Sequence, residues 1–390
     1  MGFGRVAHTL EKRGLGVDIG SRVVKALLGM QVADRITVEA ASMFAFDPSW
    51  SAGGVIRDPR ALAKQLRHEL DEQGIQASAA MFSIPSQLAS LRWVSLPLLP
   101  PDELREAARF KVRRHLPFPV SEAYVEATLP ETVDEEQHGQ SLVIVVRREV
   151  VDSRADVLEY AGIYPQGAEL EAQAVLRIVE LKLNERSALW RDASVTIIDV
   201  GSVNTHMYVV QNRRLQFMRG IKFGSDRIAR GVAVELDVPV EDVERAIGRE
   251  GALLTPDGML HLQIGEEQAT VSVAQDLDKL TLEFLRLLRY FRSLHPERSY
   301  SGILDHVIVC GGLSGLRGFA EYLHEALGLR VERARPFAGM VGRFQRDTFD
   351  SIVNRQEAFT VVLGLALSSL ASSNRAKGAR HDSREYVWSR

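Results

Sequence analysis

Two short segments, Asp18-Ile19-Gly20-Ser21 and Asp199-Val200-Gly201-Ser202, constrain this 390-residue chain more than any other feature. Each closes an apolar, strand-like run on an acidic side chain, and each opens a second such run. The glycine two positions after the aspartate removes a Cβ where the backbone must turn or approach a ligand closely. Successive amide hydrogens in such a turn cradle an anion. An aspartate facing that anion would repel it, so the pattern assigns Asp18 and Asp199 to Mg²⁺, held through water, with the metal neutralising phosphate oxygens. One Asp-x-Gly is an ordinary turn sequence. Two copies at equivalent places in a repeated strand, turn, strand plan, followed by a strand and Cys310-Gly311-Gly312-Leu313-Ser314-Gly315, point to one phosphate site built from two halves.

Other side chains near these loops have a functional reading and a plain one. Lys25 lies seven positions after Asp18, where strand alternation brings its ammonium toward the phosphate; otherwise it is a solvated hairpin lysine. Ser21, Ser202 and Thr205 supply hydroxyls to phosphate, or cap turns. Gly311 and Gly312, with Leu313 after them, let the backbone lie flat against a ribose or adenine; the alternative is a strand-to-helix turn. Gln173 is a candidate for orienting an attacking water, or a polar surface residue. Cys310 reads as a small buried residue, and His206 and His306 as core histidines among apolar strand residues. The ten histidines show no metal-ligating spacing.

Composition excludes several classes. A net charge of -3 with intermixed signs leaves no polycationic surface, so nucleic acid is not expected as a partner. A single cysteine excludes an internal disulfide or a zinc-thiolate cluster and fits a reducing, cytoplasmic setting. The start has charge but no apolar segment of signal-peptide length, and Phe359 to Leu370 is too short to span a bilayer, so no direct membrane span is expected.

Periodicity predicts an α/β chain in two lobes. Gly14 to Gly29 reads as a hairpin, and Asp58 to Gln73 as a helix with Asp58 as cap, Pro59 at its first position and Gly74 as its stop. Ala79 to Arg148 reads as a separate module: strands near Ala80 to Ile84 and Ala89 to Leu96, a helix capped by Asp102, then strands near Tyr124 and Leu142 to Val146. Glu149 to Ala161 and Glu169 to Leu183 read as helices, and Val195 to Val200 as a buried strand followed by a second hairpin turning at Gln211 to Arg214. Asp226 to Glu250 is helix-rich, Gly251 to Val273 reads as turns and short strands, Ala274 to Ser293 as one long helix, and Gly318 to Leu327 as another. The expected division is 12–78, 149–190 and 355–372 for the first lobe and 79–148 for an inserted subdomain. Segments 191–225 and 294–354 form the second lobe, 226–293 its subdomain, and 373–390 a polar tail.

Asp18-x-Gly20-Ser21-x-x-x-Lys25, Asp199-x-Gly201-x-x-x-Thr205 and Gly311-Gly312 resemble the two phosphate loops and the adenosine loop of the actin, sugar kinase and Hsp70 superfamily. Within it the chain resembles the PilM family of type IV pilus assembly proteins. The supporting stretches are Phe82-Ser83-Ile84-Pro85, Leu96-Pro97 with Glu103-Leu104, His115-Leu116-Pro117-Phe118-Pro119, Phe223-Gly224, Glu283 to Phe291 and Glu357-Ala358-Phe359 with Gly364-Leu365-Ala366-Leu367. The resemblance implies a duplicated, ribonuclease H-like actin fold with ATP and Mg²⁺ between the lobes, and at most a slow ATPase. It also implies a partner, the cytoplasmic N-terminal segment of the single-span protein PilN, bound beside the inserted subdomain and recruiting the chain to the inner membrane. Where the family carries a lysine toward adenosine, this chain has Ile247, with Arg245 and Arg249 as nearby cations. Two other functions fit the same superfamily: a small-molecule kinase, which needs a carboxylate base beside a polar cleft, and an actin-like scaffold of type II secretion or cell division.

Overall fold

The computed structural model describes residues 11–33, 35–130, 134, 138–185, 194–211, 214–249, 251–293, 306–340 and 352–372, without the side chains of 182–185. The expected tail 373–390, the segments 294–305 and 341–351, and the centre of the second hairpin turn lie outside the described residues.

The sequence repeat becomes a repeat of sheets. In the first, Lys12–Ile19 pairs antiparallel with Val23–Val32, which pairs antiparallel with Arg35–Ala45. On its other side Lys12–Ile19 pairs in parallel with Ala79–Ile84, and that strand with Tyr164–Leu170. The second sheet repeats this plan around Val195–Val200, with Thr205–Gln211 and Arg214–Ile221 antiparallel on one side and His306–Cys310 and Val331–Arg333 parallel on the other. Each aspartate therefore ends the central strand of a five-stranded sheet. All six residues of Val195–Val200 are buried, as a strand paired on both sides requires.

Packing around the first sheet depends on missing Cβ atoms. The helix Thr360–Ser372 is buried on every side from Thr360 to Leu370, so the apolar run too short for a membrane is a core helix. A Cβ on Gly14 would lie 2.6 Å from the Ala366 carbonyl oxygen, and one on Gly16 would lie 2.4 Å from that of Val362. A Cβ on Gly364 would lie 2.2 Å from the Ala174 carbonyl oxygen of the neighbouring helix Glu171–Glu185. Glycines thus let this helix rest directly on the Asp18 strand. The helices Pro59–Glu72 and Arg148–Tyr160 pack against each other, the first burying Leu62, Leu66 and Leu70. Asp58 accepts a hydrogen bond from the Ala61 amide at 2.9 Å, the expected N-cap.

The segment 79–148 contributes its first strand, Ala79–Ile84, to the first sheet. Its remainder forms a three-stranded sheet, Ala89–Pro97, His138–Arg147 and Ala123–Ala127, covered by the helix Pro101–Val112 around Leu96, Leu104, Ala108, Val125 and Val143. Pro100, not Asp102, occupies the cap position; Asp102 sits in the first turn, 3.5 Å from Arg105. Tyr164–Leu170 is a strand where a loop and helix start were expected, and only from Glu171 does the chain turn helical. The second sheet shares its core with the helices Ser225–Leu236 and Val240–Ile247, a three-stranded sheet of Leu253–Leu254, Met259–Ile264 and Glu267–Ser272, and the long helix Ala274–Ser293. Among the described residues no helix is long and apolar enough to cross a membrane.

Candidate functional site

Both Asp-x-Gly turns close in the same way. The Gly20 amide donates to the Val23 carbonyl at 3.0 Å, and the Gly201 amide to the Asn204 carbonyl at 3.0 Å. Both turns line one cavity of about 310 Å³. Asp18, Gly20, Ser21, Lys25, Asp199, Gly201, Ser202, Gly311, Gly312 and Leu313 all line it. Thr205 does not line it: it is fully buried, and its hydroxyl donates to the Phe223 carbonyl at 2.8 Å, pinning the chain below the second loop. The expected phosphate contact from Thr205 is therefore replaced by a bond inside the fold.

Lys25 stands directly across the hairpin from Asp18, and its ammonium lies 3.0 Å from the Asp18 carboxylate. The other Asp18 oxygen accepts from the Ser83 hydroxyl at 2.7 Å, on the neighbouring parallel strand. Burial works against the Lys25 ammonium, but Asp18 and then Asp199 outweigh it and raise its pKa. In the second half, the residue across from Asp199 is His206. The repeat thus places His206 where the first half has Lys25, at the edge of the same cavity. Burial lowers its pKa to about 4, so it is neutral at physiological pH. Its Nε2 is buried without a hydrogen-bond partner among the described residues, unlike the satisfied core histidine that was expected.

Asp199 is raised to about 6, by burial first and by Asp18 with it, while Lys25 pulls the other way. Sequence reasoning missed a third carboxylate, Glu171. It opens its helix at the cavity wall and accepts from the Ser86 amide at 2.9 Å. Burial, then Asp18 and Asp199, raise it to about 8. The expected Gln173 caps its own helix instead, its side-chain oxygen accepting from the Leu170 amide at 3.1 Å. The available signal for Glu171 was its place directly after a strand, which the proline and glycine of Tyr164–Leu170 concealed.

The glycine turn closes the cavity beside Asp199. Gly311 has φ +87°, and a Cβ there would lie 2.5 Å from an Asp199 carboxylate oxygen, so only glycine fits. A Cβ on Gly312 would meet nothing within 4 Å, leaving an open backbone surface. Ile247 and Gly248 line the same cavity. Arg245 is turned to Asp242 on its own helix, and neither it nor Arg249 lines the cavity. Across the phosphate end, Arg22 of the first tip reaches Asp226 at 2.5 Å, and Arg230 holds the other Asp226 oxygen at 2.7 Å. The start of that helix is tied to the second tip by Ser225 and Asp226 amides donating to the Gly201 and Ser202 carbonyls.

Two equivalent hairpin tips, two buried aspartates and a glycine turn enclosing one cavity describe an actin-like ATPase fold. A family model described as type IV pilus assembly protein PilM matches residues 16–370. The chain belongs to the PilM family. Among solved structures, it is similar to the PilM-PilN type IV pilus biogenesis complex, with TM-score 0.74 and 24% identity over 92% of this chain and 98% of the other. It also resembles the ethanolamine utilization protein EutJ from Carboxydothermus hydrogenoformans, with TM-score 0.50 and 14% identity over 91% of this chain and 89% of that one. No curated protein matches the chain.

Proposed function

We propose that this PilM-family chain is a nucleotide-binding assembly protein that holds Mg-ATP between its lobes and docks the cytoplasmic N-terminal segment of a PilN-like membrane protein. The observation that carries the nucleotide reading is the cavity enclosed by both Asp-x-Gly tips and the Gly311-Gly312 turn. The donor set fits the ligand: the Ser21 and Ser202 hydroxyls at the cavity wall suit phosphate oxygens, and an open Gly312 backbone suits a sugar or base. Asp18 and Asp199 would hold Mg²⁺ through water, since among the described residues no group of three or more His, Cys, Asp or Glu is placed to ligate a metal directly. The ion supplies charge neutralisation at the phosphates. Lys25 holds the Asp18 carboxylate in place for that role, and the Arg22–Asp226 contact spans the two lobes at the same end, where nucleotide occupancy biases lobe closure.

The partner reading is supported by the solved complex of PilM with PilN and by the inserted module, which leaves Trp93, Leu98 and Phe110 more than half exposed. Docking there would bring the chain to the inner membrane through its partner. Titration of a synthetic PilN-type N-terminal peptide with ATP, with ADP and without nucleotide tests both halves. Binding whose affinity differs between the three conditions is expected; no binding in any of them refutes the partner assignment.

Glu171 favours a second reading, phosphoryl transfer. A cavity-facing carboxylate with a pKa near 8 accepts a proton from water or an acceptor hydroxyl at mildly alkaline pH. Phosphate release from ATP that disappears in Glu171→Gln, with ATP binding retained, would establish turnover.

A further inference from the structure

The helix Val240–Ile247 presents Ile247 and no cation to the cavity, yet a cation reaches it from another element. Arg355 precedes the short turn Gln356–Phe359 that leads into the buried C-terminal helix, and its side chain lines the cavity beside Ile247, Gly248 and Gly312. Its backbone is fixed on both sides: its amide donates to the Ile352 carbonyl at 3.2 Å, and its carbonyl accepts from the Ala358 amide at 3.0 Å.

The guanidinium is oriented by Gly248. A Cβ built on that glycine would lie 3.2, 3.3 and 3.4 Å from Nη1, Cζ and Nη2 of Arg355. In a planar guanidinium, a point off the edge between the two nitrogens lies farther from Cζ than from either nitrogen. Near-equal separations therefore place Gly248 over the flat face of the group. A side chain at 248 would crowd that face of the guanidinium. The neighbouring carboxylate does not take the charge, because Glu357 pairs with Arg333 at 2.7 Å. Among the described residues no side-chain hydrogen bond or ion pair to Arg355 is formed, and burial lowers its pKa.

We infer that Arg355 is the base-stacking residue of the nucleotide site, its second face forming a planar cationic platform for a purine ring opposite the Gly311-Gly312 backbone. The inference rests on the nucleotide reading above and assigns a residue to it. A guanidinium stacks on aromatic rings as well as carrying charge, whereas an ammonium supplies only a point charge. Substitution of this group by lysine is therefore not conservative here.

The test is calorimetric titration of the full chain and of Arg355→Ala and Arg355→Lys with Mg-ATP and, separately, with Mg-tripolyphosphate, which has the phosphates but no base. Both variants are expected to bind ATP about tenfold more weakly or worse, on the scale of one lost stacking contact, while tripolyphosphate affinity stays unchanged. Thermal melts of the variants check that the fold is retained. Arg355→Lys with parental ATP affinity, or equal losses for ATP and tripolyphosphate, would overturn the stacking role. A parent chain that binds tripolyphosphate and ATP equally well would overturn it too. Failure of the parent to bind either ligand would instead refute the nucleotide reading.

Discussion

Replacing Lys25 by methionine isolates the electrostatics of the cavity. The side chain keeps its length and loses its charge, and the Asp18 carboxylate, 4% exposed, loses a partner at 3.0 Å while retaining the Ser83 hydroxyl. Breaking a buried pair from one side costs about 3–5 kcal/mol. Lys25 itself is 16% exposed, and cavity water relieves part of the penalty, which places the loss near about 3 kcal/mol. For a chain of this size that lowers the melting temperature by roughly 4 °C, at about 1.2 °C per kcal/mol.

The pH dependence gives the sharper test. Asp199 and Glu171 have ordinary values of 3.8 and 4.5 and folded values of about 6 and about 8. Acids raised on folding favour the native state in their neutral form, so their contribution is complete below the ordinary values and is lost as pH rises through 6 and then 8. Lys25 lowers both, so Lys25→Met raises them further and steepens that loss. Lys25 itself stays charged throughout, because its raised pKa lies above 10.5. Melts in parallel buffers are expected to show the largest gap between parent and variant above pH 8, shrinking toward pH 5. The double variant Asp18→Asn with Lys25→Met, which leaves no orphaned charge in the pair, should recover much of the loss. A single variant as stable as the parent at pH 8, or a gap that widens on acidification, would refute this account of the cluster.

Other consequences follow from the same geometry. Gly16→Ala should cost about 3 kcal/mol in urea denaturation, the upper range for overpacking, because its Cβ would lie 2.4 Å from a backbone oxygen of the C-terminal helix that cannot swing aside. Arg22→Ala should shift the melting temperature little, since a partly exposed ion pair contributes about 1 kcal/mol or less. It should, however, speed hydrogen exchange at the start of Ser225–Leu236, which the pair ties to the first lobe; unchanged exchange there would show that the contact does not couple the lobes. Mg-ATP affinity should weaken as pH falls through about 6, where Asp199 takes up a proton, by up to about tenfold per pH unit below it; flat affinity between pH 7.5 and 5 would remove Asp199 from the metal site.

What the sequence made legible was what repeats or alternates. The two hairpins, their Asp-x-Gly tips, the Asp58 cap and the long helix Ala274–Ser293 follow from period and turn chemistry that act over a few residues. What stayed hidden depends on neighbours distant in sequence. Tyr164–Leu170 contains a proline and a glycine that argue against a strand, but it lies at a sheet edge, with a register shift between Pro165 and Gly167 that accommodates both. Its misreading concealed Glu171. Ala79–Ile84 reads locally like the strands after it, and only its parallel pairing with the Asp18 strand assigns it to the first sheet. Thr205 matches the phosphate-loop pattern, yet the carbonyl of Phe223 captures its hydroxyl. Arg355, more than a hundred residues from Gly248, has no local pattern that would mark it.

The central claim, that both hairpin tips act together on one Mg-bound nucleotide, is tested most directly by calorimetric titration of ATP into the full chain with and without Mg²⁺, alongside Asp18→Ala and Asp199→Ala. The account predicts one site per chain, marked weakening without Mg²⁺, and loss of the magnesium dependence in each aspartate variant while its melt stays cooperative. A folded parent that binds no ATP, or aspartate variants that bind Mg-ATP as the parent does, would contradict it.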